Sequence, residues 1–260
     1  MKQQLDKSRL RQAFSTASLS YDSVAQLQRQ VGQALLADRD IGSWQGNILD
    51  IGCGTGFLTG ELLARSSAEL IALDIALPML YTAKLKLAQA ERVSYVCADA
   101  EALPFRSQCV STVVSNLALQ WCRRPEVVFS DIRRVLKPDG QLLFSSFGES
   151  TLCELKNAWA TVDAYSHVNE FFSASRLVES LQRTGFGEIS LTTQSYQRSY
   201  DSVLALMHEL KRLGANNALV GRNRQLTSKS ALQKMIAAYE AACAEGIMAT
   251  YDVLIITAKR

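Results

Sequence analysis

The hydrophobic positions between residues 47 and 147 alternate between two spacings. Short apolar runs predict strands, and segments whose apolar residues lie three or four apart predict helices. Strands are expected at 47–51, 70–74, 93–97, 110–115 and 141–147, and helices at 57–65, 78–90 and 125–136. Strands that alternate with helices in this way predict parallel βαβ units and an α/β fold.

Both ends of the chain follow a mostly helical pattern. Apolar positions at helical spacing cover residues 8–40, with a break at Ser20–Ser23, and residues 201–245, with breaks at Gly214 and Gly221. Shorter helices are expected at 152–165 and 173–184, and extended segments at 188–198 and 251–259. All four prolines lie between residues 78 and 138, so both ends are free to be helical.

The pattern therefore predicts a single domain, 1–260, in three parts. A core over 47–147 carries the strand ends, and an N-terminal helical arm (1–40) and a helical insert (201–245) are natural lids over a site there. The length of 260 residues, with 48% hydrophobic and 20% charged residues, suits a globular domain and excludes wholesale disorder.

Charge and cysteine content exclude several classes of protein. The net charge of +3, from 28 Lys and Arg against 25 Asp and Glu, does not indicate a nucleic-acid partner. No apolar run reaches the roughly 18–20 residues of a membrane helix, and the N-terminus lacks a signal peptide's apolar stretch, so a cytoplasmic protein is expected. The six cysteines are scattered without a Cys-x-x-Cys pair, so they are interpreted as small buried hydrophobic residues, with no metal site.

The strongest chemical signal is the segment Asp50–Gly56, with the sequence DIGCGTG. It follows a predicted strand and precedes a predicted helix, which is the context of a nucleotide-binding loop. Glycines let such a loop turn tightly and approach a ligand closely. A dinucleotide-binding loop has its third glycine one residue later, where this chain has Phe57. Gly56 and Asp50 favour S-adenosylmethionine as the ligand instead.

Polar residues also end the next three predicted strands. Asp74 can accept hydrogen bonds from both ribose hydroxyls of the ligand. Asp99 can accept from the exocyclic amine of adenine, while the backbone N–H of Ala100 meets a ring nitrogen. Asn116 ends the fourth strand, and open α/β sheets bind ligands at such ends, although each residue alone could be an ordinary turn residue. The predicted cofactor residues are Asp50, Gly52, Cys53, Gly54, Gly56, Asp74, Ile75, Asp99, Ala100 and Asn116.

Residues 47–147 resemble a class I S-adenosylmethionine-dependent methyltransferase. The loop Asp50–Gly56, then Asp74, Asp99 and the turn LKPDGQL at 136–142 follow that superfamily's order. The resemblance implies S-adenosylmethionine as the methyl donor. It also implies a Rossmann-like sheet of seven mostly parallel strands, with the last strand antiparallel and inserted beside the 188–198 strand.

The flanking segments more narrowly resemble the malonyl-acyl-carrier-protein O-methyltransferases of biotin synthesis. The matching segments are LRQAFSTASLSYD at 10–22, NLALQWC at 116–122, residues 144–147 with 152–155, and LKRLGAN at 210–216. This resemblance spans essentially the whole chain. It implies methylation of the free carboxylate of malonyl-acyl carrier protein, so that the methyl ester can be elongated toward the pimeloyl chain.

That chemistry needs no general base, because a malonyl carboxylate is already ionised at pH 7. Placing the carboxylate in line with the methyl group and excluding water should carry the rate. His167 and His208 are therefore interpreted as packing or surface residues. Tyr21 can donate a hydrogen bond to the carboxylate, or it is a buried core tyrosine. Gln120 lies where donor and acceptor should meet. The predicted catalytic residues are Tyr21, Gln120, Lys211 and Arg222.

The acceptor would be carried by an acidic protein on a phosphopantetheine arm, which positive surface attracts. Lys211 and Arg222 can fix the malonyl group or the phosphate of the arm, or they can simply face solvent. The two basic clusters that can attract the carrier, or only solubilise the chain, are Lys2, Lys7, Arg9 and Arg11, and Lys211, Arg212, Arg222 and Arg224.

Three other functions stay open. A related enzyme could methylate another small carboxylic acid such as trans-aconitate, or a quinone or sterol ring carbon, although a carbon acceptor usually needs a base. A nucleic-acid methyltransferase is disfavoured, because no Asn/Asp-Pro-Pro-Tyr/Phe run follows the fourth strand. A non-catalytic interaction module on the same fold is disfavoured by the intact Gly52, Gly54, Gly56 and Asp74. The sequence specifies neither an oligomeric state nor a preference between carrier protein and coenzyme A.

Overall fold

A computed structural model describes residues 6–215, 227–243 and 246–260, in which seven strands form one sheet. The strands lie in the order β3-β2-β1-β4-β5-β7-β6. Neighbours from β3 to β5 are parallel, and β7 is antiparallel to both β5 and β6. Their bounds are β1 Ile48–Ile51, β2 Leu70–Asp74, β3 Val93–Cys97, β4 Val110–Asn116, β5 Leu136–Phe147, β6 Gly187–Tyr200 and β7 Ile247–Lys259.

Ten α-helices accompany the sheet within the described residues. The first three precede the sheet, α4 to α6 connect its parallel strands, and α7 and α8 lie between β5 and β6. The last two, α9 and α10, lie between β6 and β7. Their bounds are α1 Lys7–Ala17, α2 Tyr21–Val24, α3 Gln26–Leu36, α4 Phe57–Arg65, α5 Leu77–Lys86, α6 Pro125–Val135, α7 Cys153–Ala160, α8 Ala174–Arg183, α9 Val203–Arg212 and α10 Lys229–Ala242.

The predicted fold class is confirmed, including the seven strands and the antiparallel last strand between the fifth and sixth. The predicted and observed bounds differ at the ends of several helices and strands. The predicted turn at 137–140 is a bulge within β5, since Val110 pairs with Leu136 and Thr112 already pairs with Gln141. Strand β7 begins at Ile247 rather than residue 251, because its first residues pair with the end of β6. Helices α5 and α7 are shorter than predicted, and Gly221 lies outside the described residues.

Apolar side chains fill both faces of the sheet. In β1, Ile48 belongs to the core that contains α3 and α4, whereas Leu49 and Ile51 belong to the core that contains α6. The same alternation places Leu143 and Phe144 of β5 in opposite cores, as strand geometry requires. The expectation for the cysteines is only partly right: all six are free, Cys53 and Cys122 are buried, and Cys97 is exposed because its side chain lies at the edge strand.

The N-terminal helices and the end of α9 pack against each other. Leu213 forms an apolar cluster with Val24 and Ala25. Gly214 has a φ of +71°, and a Cβ there would lie 3.1 Å from the carbonyl oxygen of Ala13, so only glycine lets the two segments approach this closely. Two segments about 190 positions apart in the sequence thus share one surface. None of the helices in the described part of the chain is both long and apolar enough to cross a membrane.

Candidate active site

The loop after β1 contains three glycines with positive φ, which have two different uses. An added Cβ at Gly52 would overlap the Cβ of Ala118, and one at Gly56 would lie 2.9 Å from the Cβ of Ala83 in α5. These two glycines are therefore required by packing. A Cβ at Gly54 would meet no atom within 4 Å, so Gly54 faces open space.

Asp74, at the end of β2, holds this loop in place. Its Oδ2 accepts a hydrogen bond from the backbone N–H of Gly54 at 3.0 Å, and its Oδ1 accepts from that of Ala76 at 2.8 Å. The side chain is buried, and burial raises the pKa of Asp74 to about 6. At pH 7 the group is therefore mostly ionised and can accept further hydrogen bonds from a ligand.

Asp50, at the other side of the loop, is more deeply buried, with 1% of its surface exposed. Its Oδ2 accepts a hydrogen bond from the hydroxyl of Thr59 at 2.6 Å, but Oδ1 has no partner within the described residues. Burial and the charge of Asp74 raise the pKa of Asp50 to about 7. An unpaired buried carboxylate oxygen is costly and fits a site that a ligand completes.

The first cavity lies at the carboxyl ends of β1 to β4 and holds about 670 Å³, including its mouth. Most of the predicted cofactor residues line it: Gly52, Gly54, Asp74, Ile75, Asp99, Ala100 and Asn116. Helix α1 forms a further part of the wall, through Lys7, Leu10 and Phe14. The parallel strands bring these residues together because their carboxyl ends share one edge of the sheet.

A second cavity, of about 420 Å³ including the open space at its mouth, adjoins the first and shares Tyr21, Gly52, Gly54 and Asn116 with it. Asp50, Cys53 and Arg29 also line the second cavity. Arg29, in α3, donates a hydrogen bond from Nη1 to the backbone carbonyl of Asp22 at 2.8 Å. The second cavity therefore places a guanidinium group and an unpaired carboxylate oxygen in the wall of one small volume.

A third cavity, of about 540 Å³ including the open space at its mouth, adjoins the first two. It shares Trp121 with the first cavity and Gln28 with the second. Trp121 is held by an edge-to-face contact with Phe14, with ring centroids 5.6 Å apart. His167 also lines the third cavity, where its ring stacks on Trp159 and its Nε2 bonds to Asp163 at 2.9 Å.

The structure separates the four predicted catalytic residues. Tyr21 lines the first two cavities, and burial followed by the charge of Asp74 raises its pKa, so the phenol keeps its proton. Gln120 is buried beside Trp121 but lines none of the three cavities, and neither does Gly56. Lys211 is exposed at the end of α9, and Arg222 lies outside the described residues.

Sequence reasoning missed two contributions of the N-terminal helices. It assigned Lys7 to a surface cluster, but the Lys7 ammonium lies 2.7 Å from Asp99 and 3.5 Å from Glu101 and lines the first cavity. Arg29 received no role, because a single arginine in a predicted helix carries no local signal. Of the other basic residues, Arg212 bonds to Ser23 at 2.7 Å, and Lys2 and Arg224 lie outside the described residues.

The sheet order, the glycine loop and the carboxylates at the strand ends define a class I methyltransferase. Residues 49–144 match the family described as a methyltransferase domain. Phosphoethanolamine N-methyltransferase 2 of Haemonchus contortus, solved with S-adenosyl-L-methionine, has the same fold, with a TM-score of 0.57 and 17% identity. That alignment covers 95% of this chain and 57% of the other.

Curated relatives narrow the class. A malonyl-[acyl-carrier protein] O-methyltransferase of Methylococcus capsulatus is 43% identical over 93% of this chain and 90% of its own length. The biotin biosynthesis bifunctional protein BioHC of Cellvibrio japonicus is 41% identical over 96% of this chain and 49% of its own length. This chain belongs to the malonyl-[acyl-carrier protein] O-methyltransferase family.

Proposed function

We propose that this chain transfers a methyl group from S-adenosylmethionine to the free carboxylate of malonyl-acyl carrier protein. The product is the malonyl methyl ester, which starts the pimeloyl chain of biotin. The observation that carries the proposal is the pair of joined cavities with buried carboxylates in a chain of this family. We place the reaction in the cytoplasm and invoke no metal ion.

The first cavity fits the adenosine part of the donor. The ionised Asp74 is placed to accept hydrogen bonds from the two ribose hydroxyls, and Ile75 forms the adjoining wall. Asp99 and the backbone N–H of Ala100 suit the polar edge of adenine. Lys7 bonds to Oδ1 of Asp99, so the N-terminal helix is tied to the same carboxylate that would meet adenine.

The second cavity fits a zwitterionic amino-acid end. The unpaired Oδ1 of Asp50 suits an ammonium group, and the guanidinium of Arg29 suits a carboxylate. The loop that includes Cys53 and Gly54 forms the wall between these charges. The methionine portion of S-adenosylmethionine carries both of the groups that this arrangement would pair.

The bound donor supplies an electrophilic methyl group on a sulfonium. The chain's own residues bind and orient the acceptor carboxylate and keep water out. Tyr21 lies where the first two cavities meet, and its protonated phenol can donate a hydrogen bond to that carboxylate. Gln120 would support Trp121 from behind, rather than bind substrate.

The paired N-terminal arm and insert would serve as the lid of this site. Their contacts, from Leu213 to Val24 and from Arg212 to Ser23, join them above the strand ends. Exposed Arg9 and Arg11 on α1 and Lys211 on α9 supply positive charge for an acidic carrier. Carrier docking on this joined surface would direct its arm toward the cavities.

A mass-shift assay tests the proposal. The protein is incubated with S-adenosylmethionine and malonyl-acyl carrier protein, and we expect one methyl group on the malonyl unit. Acetyl-acyl carrier protein is the control, because it lacks the free carboxylate. Methylation of trans-aconitate without methylation of any malonyl thioester would support the small-acid alternative. Failure to bind S-adenosylhomocysteine in calorimetry would support a non-catalytic module.

A further inference from the structure

The third cavity is built differently from the two that fit the donor. Its wall is mainly apolar and comes from β5, α7, α9, β7 and the segment before α8. The side chains that shape it include Phe147, Leu155, Phe171, Leu210, Leu213 and Tyr251. Within the described residues, no Lys or Arg lines it. A small polyanion would therefore meet no lysine or arginine there, and His167 is already bonded to Asp163.

Among the described residues, the third cavity shares one lining residue with each of the two cavities that fit the donor. Trp121 lies between it and the first cavity, and Gln28 lies between it and the second. All three cavities lie at the same edge of the sheet, since Phe147 ends β5 and Tyr251 lies near the start of the antiparallel β7. A ligand in the third cavity would thus reach the donor past Trp121 and Gln28.

The backbone of Gln28 is held by a hydrogen bond, whereas its side-chain oxygen has no partner among the described residues. Its carbonyl oxygen accepts a hydrogen bond from Nδ2 of Asn116 at 2.8 Å, which holds this turn of α3 against the end of β4. Its side-chain Oε1 is buried and has no hydrogen-bond partner among the described residues. A buried carbonyl oxygen that is left unpaired is costly, so an N–H or O–H donor of a bound group is expected to complete it.

We infer that the third cavity receives the acyl thioester end of the acceptor, with Gln28 as an acceptor-binding residue at its inner end. This inference rests on the proposed function. A pantetheine arm is narrow and uncharged along most of its length, and it matches apolar walls with a few polar groups. At the inner end, Nε2 of Gln28 can donate a hydrogen bond to the malonyl carboxylate without neutralising its charge, and the unpaired Oε1 can accept one from an amide N–H of the pantetheine arm.

The cavity is tested by filling it and measuring methyl transfer to malonyl-pantetheine, a substrate without carrier protein. Leu210→Trp places a large ring into the cavity wall, and we expect kcat/KM to fall at least tenfold. Leu204→Trp is the control, because Leu204 is exposed on the same helix. Both variants should bind S-adenosylhomocysteine within twofold of the unmodified protein, which also shows that they fold.

Gln28 is tested by Gln28→Leu, with Gln30→Leu as the exposed control on the same helix. We expect Gln28→Leu to raise KM for malonyl-pantetheine at least fivefold with kcat reduced less. Gln28→Glu should cost more, because its charge repels the carboxylate. Because Gln28 also lines the second cavity, the affinity for S-adenosylhomocysteine is measured for both variants, and a loss with malonyl-pantetheine that exceeds the loss of donor affinity supports the acceptor role.

The outcomes separate this inference from the proposed function. Wild-type transfer to malonyl-pantetheine, together with unchanged kcat/KM in Leu210→Trp and Gln28→Leu, would overturn the inference and leave the function standing. An effect of Leu210→Trp alone would keep the cavity assignment and overturn the role of Gln28. A wild-type protein that methylates no malonyl thioester would overturn both.

Discussion

The first and third cavities lie side by side and share Trp121, yet they are built in opposite ways. The first is formed largely by residues that end consecutive parallel strands or lie in the turns after them, such as Asp74, Gly54 and Asp99. The third is formed by segments spread from α3 to β7, which meet only through tertiary packing. Short turns fix the first cavity locally, whereas long-range contacts create the third.

The two cavities also differ in charge. Two carboxylates with raised pKa values line the cavities that fit the donor: Asp74 lines the first cavity and Asp50 the second. The third has no charged Lys, Arg, Asp or Glu in its described wall. We therefore expect fixed hydrogen bonds to hold the polar groups of the donor. The acceptor arm should be held mainly by the shape of the third cavity. Mutations at the first cavity should change donor affinity sharply, and surface charges near the third should matter little.

The largest effect is expected for Asp74→Ala. The change removes the acceptor for two ribose hydroxyls, and a hydrogen bond to a charged group contributes about 1.5–3 kcal/mol. It also frees the N–H groups of Gly54 and Ala76. We expect the affinity for S-adenosylhomocysteine, measured by calorimetry, to fall at least about 100-fold.

Asp139→Asn is the control for that change, because Asp139 is exposed in the bulge at the opposite edge of the sheet. Asparagine also tolerates its φ of +60°. An Asp74→Ala protein that still bound the ligand within threefold would show that this carboxylate only supports the loop.

A pair of glycine variants should separate packing from binding within the first cavity. Gly52→Ala would force Ala118 aside and impose a strained φ, at about 2–5 kcal/mol of unfolding free energy. Gly54→Ala costs only about 1–2 kcal/mol of backbone strain, but its methyl group enters the cavity. We expect the larger fall in Tm for Gly52→Ala, by thermal unfolding.

The same pair should also be compared by calorimetry. For Gly54→Ala we expect about tenfold weaker binding of S-adenosylhomocysteine, or about 1.4 kcal/mol, with Tm lowered by less than about 5 °C. Equal losses of Tm in the two variants would contradict the different environments of the two glycines.

Donor affinity should fall at acid pH. Since burial raises the pKa of Asp74 to about 6, the unliganded protein holds a proton there below that pH, and binding to the ionised form must displace it. Asp50, with a pKa of about 7, acts in the same direction. Between pH 6 and 5 we expect each of the two groups to raise the dissociation constant of S-adenosylhomocysteine by up to about tenfold per pH unit.

Calorimetry from pH 5 to 8 measures this slope. Asp74→Asn is the matched variant, because it removes one titrating group and should bind weakly with a shallower dependence on pH. A wild-type affinity that stayed constant between pH 5 and 7 would contradict the assigned role of both carboxylates.

The contrast between the cavities also explains what the sequence could predict. Helix α4 and strands β2 and β3 have the predicted bounds, because local spacing determines them. The positions of Asp74 and Asp99 were predictable, since Asp74 ends β2 and Asp99 lies in the turn after β3. Arg29 and Gln28 carry no such signal, because their roles depend on how α3 packs against the loop after β1 and the end of β4.

Lys211 is a residue that the sequence marked as a candidate but the structure leaves outside the cavities. Its positive charge and its place in the LKRLGAN segment made it a candidate substrate contact, with a solvated helix face as the alternative. The structure directs Leu210 and Leu213 to the third cavity and leaves Lys211 exposed. A basic residue among apolar neighbours has no sequence pattern that separates a ligand contact from a solvated helix face. Only the orientation of the helix decides between them.

The smallest effect is therefore expected for Lys211→Ala. An exposed charge contributes by attracting the acidic carrier through solvent, an interaction of about 0–1 kcal/mol that salt weakens. We expect KM for malonyl-acyl carrier protein to rise by about threefold or less at low salt, and kcat/KM for malonyl-pantetheine to stay unchanged. Lys137→Ala, an exposed lysine at the opposite edge of the sheet, should change neither value. A tenfold loss with malonyl-pantetheine would mean that Lys211 reaches the malonyl group, and the acceptor side would then depend on charge as the donor side does.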